Sequence, residues 1–199
     1  MLTISKGITP VYSNREGLLY YFIGNKSLIE QAPIAVFCSR EIPLSLYNTA
    51  NETFSQMLTL PLVIGGGWQS AMEKRVLINY MKESQARIIY FLARGINHFK
   101  IPGHLSHLID CGKLLMVSPL LNGPRIGKRL VGQRDDLIFN LVDRFFFLYI
   151  KPEGYLESLF TRCLNAGKEV YLLEHKANSE HFIDKVKTLS LKNLKELSI

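Results

Sequence analysis

The amino-acid sequence predicts one α/β domain in which a mostly parallel sheet is covered by helices on both faces. The chain has 199 residues, about the length of one compact domain, and 47% of them are hydrophobic, which is enough for one continuous core. Short β-rich runs alternate with longer segments of helical character. Most of these runs are apolar at nearly every position, as strands buried on both faces are. Together these features predict a Rossmann-like fold.

Six strands and five helices are expected to alternate along the chain. We predict strands at 34–38, 62–64, 88–92, 114–117, 145–149 and 170–173. The helices between them are predicted at 44–58, 70–82, 104–110, 128–141 and 155–166. The last of these helices runs into Gly167, which is typical of a helix that ends at a glycine cap before the next strand.

The two ends of the chain are predicted to lie outside this alternation. Residues 1–30 are interpreted as a lead-in, in which the apolar run 18–23 is followed by a turn at Gly24 and Asn25. The Rossmann-like domain is expected over 31–176. Residues 177–199 contain lysines and leucines at helical spacing, which predicts a C-terminal helix. An amphipathic surface helix is the favoured interpretation, and a helix that meets a partner is the alternative.

The charge of the chain favours acidic partners. Lysine and arginine outnumber aspartate and glutamate by 24 to 17, so the formal net charge is +7. A positive balance favours polyanions such as nucleic acid or nucleotides. The excess is spread along the sequence except near 125–129, where three basic residues lie close together.

The apolar runs and the cysteines restrict the class of protein. The apolar run 145–150 is far shorter than the ~20 residues of a membrane-spanning helix, and the first residues do not resemble a secretory signal. We therefore expect a cytoplasmic protein with no membrane partner. The three cysteines are widely separated, which predicts buried thiols rather than zinc ligands or disulfides: Cys38, Cys111 and Cys163.

No cofactor or metal is expected from the sequence. His104, His107 and Asp110 are spaced so that they could line one face of a helix as metal ligands. Histidines that face solvent or form hydrogen bonds are much more common than such ligands, so we predict no metal site here. No residue is assigned a catalytic role.

The residues that follow the predicted strands are the candidate binding residues, because ligands of open α/β sheets bind outside the carboxyl ends of the strands. Ser39 and Arg40 follow the first strand and could both meet an anionic oxygen. The run Gly65, Gly66 and Gly67 follows the second strand and leads into a helix, whose N-terminal N–H groups suit a phosphate. A tight turn alone also requires glycine, and the run matches neither a dinucleotide fingerprint nor a P-loop.

Three further arginines complete the candidate site, and one tryptophan lies beside its glycine run in the sequence. Arg94 follows the third strand, while Arg125 and Arg134 lie in the basic segment 124–134. We predict that Arg40 and Arg134 converge on one anion-binding pocket beside the glycine turn. Trp68 could stack on a base, but we favour a place in the hydrophobic core.

Several of these motifs, taken in order, resemble the DNA-processing protein A (DprA, or Smf) family. They include Phe37-Cys38-Ser39-Arg40 and the segments 64–74, 92–96, 101–102, 112–119, 125–134 and 167–171. The resemblance covers about residues 18–175. It implies a Rossmann-like fold shared with the LOG nucleotide hydrolases, binding of single-stranded DNA, a homodimer, and a role in loading a RecA-type recombinase.

The same resemblance assigns roles to particular residues. Ser39 and Arg40 match the family's Gly-Ser-Arg site, and Arg134 matches the first arginine of its Arg-Asn-Arg element. The other two positions of that element are Asp135 and Asp136, which place negative charge where a DNA phosphate is expected. This chain therefore departs from the family at the predicted contact.

Two alternatives to DNA binding remain open. A LOG-like enzyme would cleave the glycosidic bond of a nucleoside monophosphate, but Phe160 replaces the required glutamate and Glu157 lies one helical turn short of that place. We therefore expect no hydrolysis at an enzymatic rate. The second alternative is a nucleotide sensor that uses the same pocket and meets a partner protein.

Overall fold

The computed structural model describes residues 9–12, 17–80, 85–101, 103–123, 127–178 and 186–198. The strands of this part of the chain are β1 Thr9–Tyr12, β2 Leu19–Gly24, β3 Ile34–Cys38, β4 Val63–Gly66, β5 Arg87–Phe91, β6 Leu114–Ser118, β7 Arg144–Tyr149, β8 Glu169–Leu173 and β9 Lys187–Leu189. The α-helices are α1 Leu44–Met57, α2 Ala71–Tyr80, α3 Gly103–Asp110, α4 Lys128–Leu141 and α5 Tyr155–Asn165. Short 3₁₀ helices cover Lys26–Glu30, Ile96–His98 and Leu194–Ser198.

The described strands form one sheet in the order β1-β2-β6-β5-β4-β3-β7-β8-β9. The strands from β3 to β9 run parallel, while β2 pairs antiparallel with β6 and β1 pairs antiparallel with β2. The prediction of a mostly parallel α/β sheet is confirmed. All six predicted strands are present, and their ends agree with the prediction to within two residues.

Helices cover both faces of the sheet, as predicted. Along β3, Ile34 and Val36 belong to the hydrophobic cluster beneath α1, α2 and α3. Ala35 and Phe37 belong to the opposite cluster, beneath α4 and α5. Because successive residues of a strand point to opposite faces, a strand in this position must be apolar throughout.

Trp68 is part of the first of these two cores. Its side chain is 1% exposed and stacks on Phe54, with 5.8 Å between the ring centroids. Its indole Nε1 donates to the carbonyl oxygen of Ile89 at 3.4 Å. The favoured core position is confirmed, and this ring is not accessible for stacking on a base.

The predicted lead-in is wrong at residues 9–12 and 19–24, which form two strands of the sheet. β2 pairs with the outer side of β6, from Tyr21 opposite Ser118 to Gly24 opposite Leu115. The pairing satisfies backbone groups that β6 would otherwise leave unpaired at that edge. The turn that follows agrees with the prediction, because Gly24 has a φ of +105° and the side chain of Asn25 accepts from the N–H of Ser27.

The predicted C-terminal helix is present at residues 177 and 178, but the described residues further along the chain do not continue it. Residues 187–189 form β9, which extends the sheet beside β8, and the 3₁₀ helix Leu194–Ser198 follows. Residues 179–185 and 199 lie outside the described residues. Leu189, Leu194 and Leu197 are buried in the core beneath α1–α3. The leucines therefore reach the core from a strand and a short turn of helix, because β8 offers a free edge for backbone pairing.

The strand order creates a crevice at the carboxyl ends of β3 and β7. Within the sheet, β4, β5 and β6 follow one another outward from one side of β3, and β7, β8 and β9 lie on its other side. Connections on the two sides of such a switch point diverge and leave a cleft between them. In the described part of the chain, no helix is long and apolar enough to cross a membrane.

Candidate functional site

A cavity of about 730 Å³ lies at this crevice. It is lined by the turns after β3, β4 and β7 and by the first two turns of α4. Ser39 and Arg40, Gly67 and Arg134 all contribute to its wall. The prediction that Arg40 and the glycine turn share one edge of the sheet is therefore confirmed, and Arg134 lies in the same pocket.

Arg134 is buried in the pocket wall and is only partly neutralised. Its Nη2 lies 2.7 Å from Oδ1 of Asp135, and its Nε donates to the same oxygen at 2.8 Å. The side chain of Arg134 is 6% exposed. Its third nitrogen, Nη1, is buried with no hydrogen-bond partner among the described residues. An unsatisfied donor of this kind costs free energy unless a ligand meets it.

Asp135 is fully engaged by its neighbours. Its second oxygen, Oδ2, accepts from the hydroxyl of Tyr155 at 2.8 Å. Burial raises the pKa of Asp135, while the charge and hydrogen bonds of Arg134 and the hydroxyl of Tyr155 oppose that rise. The sequence places a negative charge beside the expected phosphate, but the fold directs that charge to Arg134 and Tyr155. The next residue, Asp136, is exposed and pairs with Arg162.

The three glycines have different roles. A Cβ on Gly67 would lie 2.6 Å from Nη1 of Arg134, so only glycine allows the guanidinium to approach the backbone here. Gly65 and Gly66 belong to β4 and are buried, where their Cβ atoms would press on the ring of Phe91 at 3.1 Å and the carbonyl oxygen of Val36 at 3.3 Å. Only Gly67 of the three lines the cavity.

The start of α2 is occupied by a side chain of the protein itself. Oε2 of Glu73 accepts from the backbone N–H groups of Gln69 at 2.6 Å and Ser70 at 3.0 Å. In return, Oγ of Ser70 accepts from the N–H of Glu73 at 3.1 Å, which completes a capping box. These N–H groups are therefore engaged within the protein, contrary to the expectation that they receive a phosphate.

Glu73 also connects α2 to the end of β3. Its Oε1 accepts from the N–H of Cys38 at 3.1 Å. Burial raises the pKa of Glu73, opposed by the backbone hydrogen bonds and by the positive charge of Arg134. We did not identify this residue as part of the site from the sequence. The spacing Ser70-x-x-Glu73 is the signal that could have found it.

Two cations of the cavity wall are open to solvent. Arg40 follows β3 and Lys128 begins α4, and both are exposed. Neither side chain makes an ion pair with another residue that the structure describes. By contrast, Nζ of Lys151 pairs with Glu41. Arg40 and Lys128 therefore supply unpaired positive charge at this site.

Ser39 has a structural contact in the same place. Its Oγ accepts from the backbone N–H of Lys151 at 2.9 Å, and its own N–H donates to the carbonyl oxygen of Tyr149 at 3.0 Å. These bonds join the turn after β3 to the turn after β7. Ser39 thus fixes the two sides of the crevice relative to each other.

One of the predicted arginines is not found at the cavity, and another lies outside the described residues. Arg94 lies after β5 and does not line the cavity, and its carbonyl oxygen accepts from Oγ of Ser118 at 2.6 Å. Nε of Arg94 is buried without a partner among the described residues. Arg125 lies outside the described residues.

The residues considered for hydrolysis and for metal binding also lie elsewhere. Phe160 is buried against Phe147, with ring centroids 5.4 Å apart, and Glu157 accepts from the N–H of Glu153 beside a separate open depression along α5. His107 is exposed, and the described residues contain no group of three potential metal ligands. The three cysteines are free thiols, but Cys111 is exposed rather than buried as predicted.

Comparison with known proteins finds matches to this chain among solved structures alone. No family model and no curated protein matches the sequence. DprA from Helicobacter pylori, described as having a unique single-stranded DNA binding mode, superposes with a TM-score of 0.74 at 11% identity, over 100% of this chain and 98% of that one. DprA from Streptococcus pneumoniae superposes with a TM-score of 0.68 at 17% identity, over 89% of this chain. This chain spans 65% of that protein.

A second group of similar structures has a different ligand. The molybdenum cofactor carrier protein of Chlamydomonas reinhardtii superposes with a TM-score of 0.52 at 16% identity, over 83% of this chain and 98% of that one. The predicted resemblance to DprA proteins is confirmed at the level of the fold. The Rossmann-like class is confirmed by both groups.

Proposed function

We propose that this protein binds single-stranded DNA as DprA-like proteins do, with backbone phosphates held in the cavity between β3 and β7. The observation that carries this proposal is the set of available cationic donors around one cavity. Arg40 and Lys128 are exposed and unpaired among the described residues, and Nη1 of Arg134 is buried without a partner there. The DprA-like fold supports the same conclusion.

The charges of the cavity decide which residues contact phosphate most strongly. Asp135 offsets most of the charge of Arg134, and Glu41 offsets that of Lys151. Arg40 and Lys128 therefore contribute the net attraction, while Nη1 of Arg134 offers one directed hydrogen bond. Contacts of this kind position a strand without reading its sequence. The role of Arg94 and Arg125 in binding DNA stays a prediction, since Arg94 does not line the cavity and Arg125 lies outside the described residues.

The direct test is a titration of a fluorescently labelled oligothymidine with the purified protein at several salt concentrations. Arg40→Ala and Lys128→Ala should each weaken binding several-fold at low salt and lower the slope of log affinity against log salt by about one unit. Lys26→Ala is the matched control. Lys26 is an exposed lysine at the opposite edge of the sheet, just after the end of β2, so its loss should leave the affinity nearly unchanged.

Two outcomes would contradict the proposal. One is the absence of single-stranded DNA binding at low salt, and the other is binding that Arg40→Ala and Lys128→Ala leave at the wild-type level. Arg134→Ala is less informative alone because it strips the buried Asp135 of its ion-pair partner, which destabilises proteins by about 3–5 kcal/mol. Its effect on binding should be interpreted together with its thermal unfolding curve.

A small nucleotide is the alternative ligand, and the cavity has a suitable size for one. About 730 Å³ lies within the usual range of small-molecule sites. Competition of nucleoside monophosphates against the labelled oligonucleotide distinguishes the two ligands. We expect no release of free base, because Glu73 and Asp135 are both held by hydrogen bonds and Glu41 is paired with Lys151.

The wider context of the function follows from the DprA resemblance. We propose a homodimer, a RecA-type recombinase as partner, and a cytoplasmic location. Three free cysteines are typical of a reducing compartment. Light scattering of the purified protein tests the first of these, and capture of a purified recombinase on DNA coated with this protein tests the second.

A further inference from the structure

We propose that Tyr155 is a base-stacking residue, so that one nucleobase of the bound strand lies against its ring at the mouth of the cavity. The proposal rests on the proposed binding of single-stranded DNA and adds to it a contact with a base. It is carried by three features: the place of Tyr155 in the cavity wall, the exposure of its ring, and the hydrogen bonds that hold it.

Tyr155 lies where a base adjacent to a bound phosphate would reach. It is the first residue of α5, directly after the turn that follows β7, and it lines the same cavity as Arg40 and Lys128. Its side chain is 57% exposed although it is a large aromatic residue. The other aromatic residue of the cavity wall, Phe37, is 4% exposed and is packed between Phe145 and Phe147. Within the described wall, Tyr155 alone presents a ring to a ligand.

The ring is held in place before any ligand binds. The hydroxyl of Tyr155 donates to Oδ2 of the buried Asp135 at 2.8 Å, and Asp135 is fixed in turn by Arg134. The turn before it is also constrained, since Glu153 has a φ of +59° and a Cβ on Gly154 would lie 2.8 Å from the carbonyl oxygen of Lys151. A fixed aromatic ring loses little conformational entropy when a ligand contacts it.

The same hydrogen bonds predict that any of the four bases can stack on the ring of Tyr155. Both oxygens of Asp135 already accept from Arg134 and Tyr155, and the residue is buried, so the edge of a base does not reach this carboxylate. Burial and the negative charge of Asp135 raise the pKa of Tyr155, so its hydroxyl stays protonated and directed at Asp135. The face of the ring remains as the contact surface, and every base has a face that can stack on it.

The test compares an oligothymidine with an abasic oligonucleotide of equal length, which has the same sugar-phosphate backbone without bases. The wild-type protein should bind the abasic strand about tenfold more weakly, the effect typical of one stacked base. Tyr155→Ala should bind both strands with nearly equal, weakened affinity. Tyr155→Phe keeps the ring and loses the hydroxyl, so it should retain most of the preference for bases.

Each outcome bears on one of the two proposals. If Tyr155→Ala keeps the full wild-type preference for the strand with bases, or if Tyr155→Phe loses as much of it as Tyr155→Ala, the stacking role is wrong while DNA binding stands. If the wild-type protein binds both strands equally through Arg40, stacking is likewise overturned. If the wild-type protein binds neither strand, the proposed function fails and the stacking role fails with it.

Discussion

Two strand-to-helix turns line the cavity. They differ in whether the protein's own side chains already bind the polar groups that face it. The turn after β4 is closed, because Glu73 occupies the N-terminus of α2 and accepts from Gln69 and Ser70. The turn after β3 is open, because Arg40 is exposed and has no ion-pair partner among the described residues. A glycine run before a helix is therefore not evidence of a free anion site, since a carboxylate of the protein can fill it.

A residue of the closed turn helps to anchor the backbone that precedes the open turn. Oε1 of Glu73 accepts from the N–H of Cys38, the last residue of β3, while Oγ of Ser39 accepts from Lys151 across the crevice. Arg40 follows directly after these two anchored residues. The side chain that we expect to contact phosphate is thus exposed but follows an anchored backbone, which lowers the entropic cost of binding.

The largest effect expected from changing either of these two turns should come from opening the closed turn with Glu73→Gln. An amide has one accepting oxygen where the carboxylate has two, and its NH₂ group would face backbone N–H donors of Cys38 or of Gln69 and Ser70. We expect the free energy of unfolding to fall by about 3 kcal/mol, measured by urea denaturation.

Glu52→Gln is the matched control for that change. Glu52 is an exposed residue of α1, and its replacement should change the free energy of unfolding by less than about 0.5 kcal/mol. If Glu73→Gln is as stable as this control, the carboxylate does not close the turn as the geometry indicates.

The next effect should come from Gly67→Ala, which forces a methyl group between the closed turn and Arg134. The new Cβ would lie 2.6 Å from Nη1 of Arg134, so the buried guanidinium must move away from Gly67. We expect a loss of about 2 kcal/mol in unfolding free energy and weaker binding of single-stranded DNA. Denaturation and the DNA titration measure the two effects.

Gly132→Ala makes the same substitution where space is available. A Cβ at Gly132, within α4, meets no atom within 4 Å. This control should raise stability by up to about 1 kcal/mol, because alanine favours a helix more than glycine does. Equal behaviour of the two variants would show that the contact between Gly67 and Arg134 has no consequence.

The smallest effect concerns the ionisation of Tyr155, which lines the cavity together with Arg40. Burial and the charge of Asp135 raise its pKa above the ordinary value of about 10. The difference in ultraviolet absorbance between the wild type and Tyr155→Phe should therefore titrate above pH 10. Asp135→Asn removes a negative charge and should lower that midpoint. A midpoint at the ordinary value in the wild type would contradict the hydrogen bond between the two side chains.

The alternation of apolar and helical segments predicted most of the fold. The central strands and helices were found within two residues because each strand is apolar on both faces and each helix has one apolar side. The sequence predicted less at the two ends. β2 pairs with β6, which is distant in sequence, and β9 pairs with the preceding strand β8. These pairings decided that 19–24 and 187–189 are strands.

The site was predicted in part. Ser39, Arg40 and Gly67 were expected at one edge of the sheet because residues after parallel strands must meet there. Arg134 was expected beside them from the basic segment and the DprA resemblance, and all four line one cavity. Arg94 was expected by the same rule and lies outside the cavity. The rule fixes the edge on which a residue lies but not the direction of its side chain.

The sequence by itself determined the fold class, the edge that carries the site and the excess of positive charge. Each of these depends on local periodicity, on chain order or on composition. Only the tertiary structure decided which charges remain available: Arg134 is offset by Asp135, Glu73 fills the start of α2, and Arg40 stays open. The reason is physical, since an ion pair or hydrogen bond depends on a few ångströms between side chains, and in this fold turns from distant parts of the chain set those distances.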